Sequence, residues 1–184
     1  MSDASPTPKE LGEQLLKSLD KTHLNAAASK LFAASIGDMV VVFSRSPAHK
    51  HYSLADIEWM VMPPVIAGQF YIVEAMDKEH GFRAPVAAVT WAFVSEEVDQ
   101  LLQRQAGPLR RMRPDQWNCG AIGWLIDAAG EVEGLRNALQ WLATGPFRER
   151  PLKMAVRGEG AGTTVTTLEA LLGERIDTGS VPSC

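Results

Sequence analysis

The chain has 184 residues, 46% of them hydrophobic and 7% aromatic, and a formal net charge of −4. That length suits one domain, or one domain with appendages, and can bury most of the surface an unfolded chain exposes. The acidic balance argues against general nucleic-acid binding, which needs a basic face. The two cysteines are Cys119 and Cys184. A structural disulfide is therefore not expected, a reducing compartment fits, and Cys184 does not occupy the fourth-from-last position of a prenylation box. The polar start from Met1 to Glu10 lacks the apolar core of a secretory signal, and no uncharged apolar run reaches spanning length. The expectation is a soluble, cytoplasmic protein with no stable membrane insertion.

In chain order, Met1 to Pro6 reads as disordered. Thr7-Pro8-Lys9-Glu10 has the form of a capping box with proline at the first helical position. Leu11, Leu15, Leu16 and Leu19 then share a helical face that needs a partner, either the body of this chain or a second copy in a homodimer. A second helical run starts near Asn25, and Gly37 with Val40-Val41-Val42 weakens its continuation to Phe43. Ser53 is placed to cap a short helix, Leu54 to Met60, that Pro63-Pro64 ends.

The middle of the chain changes character. Gln69 to Ala75 and Pro85 to Val94 read as strands, and Asp77-Lys78-Glu79-His80-Gly81 between them supplies a turn, so a hairpin is predicted. Ser95-Glu96-Glu97 opens a helix with acidic residues in its first turn. It runs to about Gln105 and stops at Gly107-Pro108. Cys119 to Asp127 reads as a buried strand followed by a break at Ala128-Ala129-Gly130, then an amphipathic helix from Glu131 to Leu142. Leu152 to Arg157 is another strand. Gly158 to Gly162 links it to Thr163 to Leu172, extended at its start and helical at its end. A loose tail follows from Gly173. Helices followed by strands alternating with helices predict an α/β or α+β layer: one sheet covered by helices. The organisation read from the chain is an N-terminal extension (1–34), a main domain (35–172) and a tail (173–184).

Two residues are singled out for chemistry. His49 lies in Ser46-Pro47-Ala48-His49, just past an apolar run and beside hydroxyls. An imidazole is the side chain whose ordinary pKa suits proton transfer near neutrality. The plain alternative is a surface histidine at a helix end. Asp127 lies where an apolar strand meets a run of small residues, and strand ends in open α/β sheets attract ligands. Its plain alternative is a cap for the helix near Glu131. If both line one cleft, the carboxylate can hold the imidazole in one tautomer and stabilise its charged form. His49 and His51 lack a third ligand at a usual spacing, so no metal site is expected. Gly158-Glu159-Gly160-Ala161-Gly162 lacks the Lys-Ser/Thr of a phosphate loop and reads as a linker. Arg104, Arg110, Arg111 and Arg113 form either an ordinary solvated loop or a dock for an acidic partner.

At this point the chain resembles a known family, the RTX-toxin-activating lysine acyltransferases, typified by the hemolysin- and cyclolysin-activating proteins. The resemblance runs from about Ser35 to Glu159. Ser46-Pro47-Ala48-His49 and Pro64-Val65-Ile66-Ala67-Gly68-Gln69-Phe70 are similar to the family's Ser-Pro-x-His and Pro-x-Ile-x-x-Gln-Tyr/Phe. Pro85 to Ala92 is similar to its Pro-Val-Ala-x-x-x-Trp-Ala strand, and Leu125-Ile126-Asp127 to its Ile-Asp step. The resemblance implies a fold similar to the GNAT acetyltransferases, here with an added N-terminal helical segment. It also implies His49 and Asp127 as catalytic residues. The implied donor is acyl-acyl-carrier-protein, a co-substrate rather than a tightly bound cofactor, and the implied acceptor is a lysine of a protoxin. The sequence departs from the family at Ala128-Ala129-Gly130, where a Trp and a Pro-Phe-Gly-type run are usual, and in the length of its first 34 residues.

On this reading a fatty acyl group moves from a carrier-protein thioester to a lysine ε-amine. Deprotonating an ordinary lysine at neutral pH costs roughly 4–5 kcal/mol. A base beside the amine and a dry site offset that cost. His49 is the candidate base, Asp127 orients it, and Ser46 bonds the imidazole or the thioester oxygen; an acyl-carrying His49 is the less favoured variant. The basic residues Arg104, Arg110, Arg111 and Arg113 are candidates for docking the acidic carrier protein. Two other readings remain: a non-catalytic adaptor that binds an acyl carrier or secreted partner, and an acyltransferase for a small amine or peptide.

Overall fold

The computed structural model describes residues 21–76, 78–79, 81–104, 111–157 and 162–177. The capping box at Thr7, the leucine face from Leu11 to Leu19, the helix stop at Gly107-Pro108 and most of the Gly158–Gly162 linker lie outside them. The chain divides into two compact units, Met1–Ser35 and Ile36–Cys184. Helix α1 (Lys21–Arg45) begins in the first unit and ends in the second. From Thr22 it is long and apolar enough, at a mean hydropathy of 1.6, to cross a membrane by length and composition alone. Lys30 and Asp38 interrupt its apolar character.

In the second unit α1 runs without a break through Gly37 and Val40-Val41-Val42. The β-branched run costs a few tenths of a kcal/mol per residue in a helix. Burial of Met39, Val42 and Phe43 outweighs that cost. The helix ends at Arg45, before the Ser46-Pro47 step. Helix α2 (Leu54–Met60) starts at Ser53 as the sequence suggests: the Ser53 backbone N–H and hydroxyl both donate to Asp56, each at 2.8 Å. Trp59 Nε1 donates to the same carboxylate at 2.9 Å. These bonds, that from Trp59 foremost, hold the Asp56 carboxyl below the usual range. Pro63 and Pro64 do more than end α2. They open helix α3 (Met62–Ala67) at its first positions, where a missing N–H is harmless. Gly68 closes α3 at φ 65°, a left-handed conformation that favours glycine.

A five-stranded sheet in the order β1-β2-β3-β4-β5 forms the body. The predicted hairpin is present as β1 (Phe70–Met76) and β2 (Arg83–Val94), antiparallel. Helix α4 (Glu96–Arg104) follows as read, with Glu96, Glu97 and Asp99 in its first turn. Strand β3 (Ile122–Gly130) pairs antiparallel with β2. Helix α5 (Val132–Thr144) then crosses over to β4 (Leu152–Arg157), parallel to β3, and β5 (Thr163–Thr167) returns antiparallel. Helix α6 (Leu168–Asp177) follows directly. It passes through Gly173, where the sequence suggested a tail. Among the described residues β3 and β4 pair at Gly123↔Leu152 and Trp124↔Lys153.

Two readings of β3 are corrected. The strand starts at Ile122 rather than Cys119, which is exposed in an irregular segment. It also continues through Ala128-Ala129-Gly130, which pair with Val89, Ala88 and Ala87. At Gly130 the small residue answers a close approach: a Cβ there would collide with the Val86 carbonyl and the Ala87 backbone. Gly134 of α5 likewise meets the Ala87 side chain.

The sheet has apolar cover on both faces. Val89 and Trp91 pack with Ala138, Leu142, Phe147, Leu152 and Leu168 under α5 and α6. Ala92, Val94 and Trp124 pack with Val98, Met112 and Trp117 on the other side. There the Asp99 carboxylate accepts from Trp124 Nε1 at 2.7 Å and from Lys153 Nζ at 2.8 Å, tying α4 to β3 and β4. Gln69 is buried in the bend before β1. With its amide nitrogen turned inward, it donates to the carbonyls of Trp117 at 3.0 Å and Trp91 at 3.3 Å.

Candidate active site

The local fold of Ser46-Pro47-Ala48-His49 follows from its spacing. Pro47 suits the second position of a turn, and the Ser46 carbonyl accepts from the His49 N–H at 3.0 Å and the Lys50 N–H at 2.9 Å. A turn brings its first and fourth residues together, so Ser46 Oγ lies 2.7 Å from His49 Nδ1. The ring lies flat against Phe43, with centroids 4.7 Å apart and planes 11° apart. That stacking fixes the plane of the imidazole.

Asp127 reaches the same ring from the sheet, 78 residues away in sequence. Its carboxylate oxygens lie 3.0 and 2.9 Å from His49 Nε2. What aims it there is a slip in register: Thr90 pairs with Asp127 but Trp91 pairs with Leu125, leaving Ile126 as an extra residue. Such a bulge puts two successive side chains on one face. Trp91 and Val89 face α5, so Thr90 between them, and Asp127 opposite it, face the other side. In an unbroken strand Asp127 would point into the apolar layer under α5.

For a neutral imidazole the partners select one tautomer. A carboxylate only accepts, so Nε2 carries the ring hydrogen and donates to Asp127. Nδ1 then presents its lone pair, and the Ser46 hydroxyl donates to it. Asp127 is itself held, accepting from the Ala128 N–H at 2.8 Å. His49 is 5% and Asp127 9% exposed, so the chain Ser46–His49–Asp127 is largely withdrawn from water. Tyr52 stands beside it, its ring 5.9 Å from the imidazole. Partial burial, then the Asp127 and Asp56 carboxylates, push its hydroxyl above the ordinary phenol value, so it keeps its proton.

Neither plain alternative describes these residues: His49 is not on the surface, and Asp127 bonds the imidazole from inside a strand. Phe43 and Tyr52 were not singled out from the sequence. Both lie within a few residues of His49, and aromatic rings flanking a histidine are the signal that was there. The basic residues separate. Arg113 pairs with Asp115 at 3.1 Å, Arg104 donates to Gln100 at 3.2 Å, and the Arg111 guanidinium lies 6.0 Å from the centroid of the Trp59 ring. Arg110 lies outside the described residues.

A mixed sheet presents a buried hydroxyl–imidazole–carboxylate chain, groups that can hold and pass a proton. The sequence matches the profile of the RTX toxin acyltransferase family, HlyC, over residues 29–169, and the chain belongs to that family. It is also similar to the lysine-acyltransferase RtxC of Vibrio cholerae serotype O1, with 34% identity over 86 residues. That alignment takes in 46% of this chain and 50% of the relative, so the chain spans about half the length of the curated relative it matches.

Proposed function

We propose that the protein transfers a fatty acyl group from acyl-acyl-carrier-protein to a lysine ε-amine of an RTX protoxin, with His49 as base and Asp127 as its orienter. The observation that carries this reading is the buried bond between His49 Nε2 and the Asp127 carboxylate, which leaves Nδ1 as the basic nitrogen. Family membership and the relative's name supply the reaction class and the lysine.

In the proposed reaction the lysine nitrogen attacks the thioester carbonyl. The C–N bond forms, the C–S bond breaks, and the electron pair leaves with the carrier's sulfur. His49 Nδ1 takes one proton from the ammonium, which frees the lone pair that attacks, and passes it to the departing thiolate; the second proton, lost from nitrogen as the adduct collapses to the amide, goes to solvent. The Ser46 hydroxyl bonds Nδ1 in the resting site and holds the ring edge toward the incoming amine. While the imidazole is charged, Asp127 lies 2.9 Å from Nε2 and stabilises it. The withdrawal of the site from water disfavours the ammonium form of the substrate, which lowers the cost of deprotonating it.

Co-expression of this chain with a candidate protoxin and intact-mass measurement of the protoxin tests the reading. The expected result is a mass gain of one fatty acyl group on a lysine, strongly reduced with the Asp127→Asn variant. An unmodified protoxin across candidate targets, with acyl carrier protein bound by this chain, would favour a non-catalytic adaptor.

A further inference from the structure

We infer that the cavity between the end of α1 and helix α2 holds the hydrocarbon chain of the acyl donor, and that Ile57 and Val40 set the chain length it accepts; this rests on the acyl-transfer reading of the site. The cavity is an open cleft of about 180 Å³, with Leu54 exposed at its mouth. His49 forms part of its wall, and Val40, Phe43, Leu54, Ile57 and Met60 supply apolar surface. Leu54, Ile57 and Met60 recur every third residue along α2, so one side of that helix faces the space. Among the described residues lining it, Lys50 is the one carrying a fixed charge.

A second cavity, about 190 Å³, touches the site through Ser46, and its wall includes Arg45 and Glu131. An alkyl chain placed there would strip water from both charges without replacing it. The first cavity has one fixed charge in its lining, on Lys50, whose exposed side chain keeps its water, and a mainly apolar space with polar groups in its wall suits an amphipathic ligand. Continuity with the imidazole decides the orientation. Phe43 lines the cavity and stacks on His49, so a chain lying along Phe43 brings its carboxyl end to the ring. Met60 is 4% exposed, whereas Ile57 and Val40, which also line the cavity, are half-buried.

The test measures binding apart from catalysis. Saturated acyl-pantetheine thioesters of increasing chain length displace a dansyl-labelled fatty acid from the full chain, for the wild type and for Ile57→Trp, Ile57→Ala and Val40→Phe. Each methylene buried strengthens binding about fourfold, so wild-type affinity climbs with length and then levels off. Ile57→Trp and Val40→Phe bring the levelling-off to shorter chains, and Ile57→Ala moves it to longer ones. Circular dichroism and melting identify any variant that has not folded, and the remaining variants then carry the test. A levelling-off that stays at the same length in every folded variant, or affinity without dependence on length, overturns the assignment. Length-dependent binding that shifts with Ile57, in a protein that modifies no lysine, supports the pocket and removes the transfer reaction instead.

Discussion

Asp127 lies opposite Thr90 at the slip in the β2–β3 register, and that slip turns its carboxylate out of the apolar layer and onto His49. Thr90 has the complementary problem. Its hydroxyl is buried, 1% exposed, and has no hydrogen-bond partner among the described residues. A buried, unpaired hydroxyl costs free energy that an equal-sized apolar group does not. Thr90→Val therefore raises stability by about 1 kcal/mol, read by urea unfolding. A loss of stability would show that the hydroxyl is satisfied after all.

Asp127→Asn tests the tautomer. An asparagine can donate its amide hydrogen to Nε2, which moves the ring hydrogen to Nδ1 and removes the lone pair that faces Ser46. The same change in a hydrolytic triad costs about 10⁴-fold in kcat. Here we expect a fall of about 10²–10⁴-fold in kcat, with KM for the acyl donor little changed. A fall confined to KM would mean that Asp127 binds substrate rather than orienting the base.

Asp99 governs acid stability on the far side of the sheet. Burial alone would raise its carboxyl, but hydrogen bonds from Lys153, Trp124 and Gln103, with the Lys153 charge, outweigh burial and hold it below the usual range. A depressed carboxylate adds stability above its ordinary unfolded value, and that stability is lost as pH falls through the folded value. Asp99→Ala leaves Lys153 and Trp124 Nε1 without this acceptor and costs about 3 kcal/mol at neutral pH. The penalty shrinks as the medium is acidified. Denaturant unfolding at neutral and acidic pH measures both, and an equal penalty at the two would contradict the assignment.

How much of this was legible in the sequence varied with range. The turn that joins Ser46 to His49 is local, and Ser-Pro-x-His spells it out. The partnership of His49 with Asp127 spans 78 residues, and it came from family resemblance together with the chemical sense of the pair. The bulge at Ile126 was hidden, because a register slip leaves no mark on hydrophobic alternation when Leu125 and Ile126 are both apolar. Ala128-Ala129-Gly130 carried the composition of a turn, yet pairs with β2 as a strand, and at Gly130 the backbone of β2 lies too close for a side chain. Pro63-Pro64 signalled a helix end and also began the next helix, since proline is as suitable at a helix start as it is unsuitable inside. The apolar cavity beside His49 needs α1 and α2 together, and neither helix alone announces it.

The basic residues lead to a prediction about the carrier protein. Arg113 is already paired with Asp115, whereas Arg111 lies over Trp59 on the helix that lines the cavity. The double reversal Arg110→Glu with Arg111→Glu raises KM for acyl carrier protein several-fold at low salt, and the effect fades as salt rises. Arg113→Glu alone has a smaller effect. Initial rates at varied carrier concentration and two salt levels check this. An unchanged KM at low salt would take these residues off the docking surface.

The central claim is that His49 takes the proton from the attacking amine. Its most direct test is single-turnover acyl transfer with purified protein, acyl-acyl-carrier-protein and a lysine-bearing protoxin segment, followed by intact-mass measurement of the acceptor. Wild type and His49→Ala are compared, with circular dichroism establishing that the variant is folded. The account predicts a mass gain of one acyl group with the wild type and none above the uncatalysed background with His49→Ala. Transfer by the folded variant at more than a few per cent of the wild-type rate would contradict it.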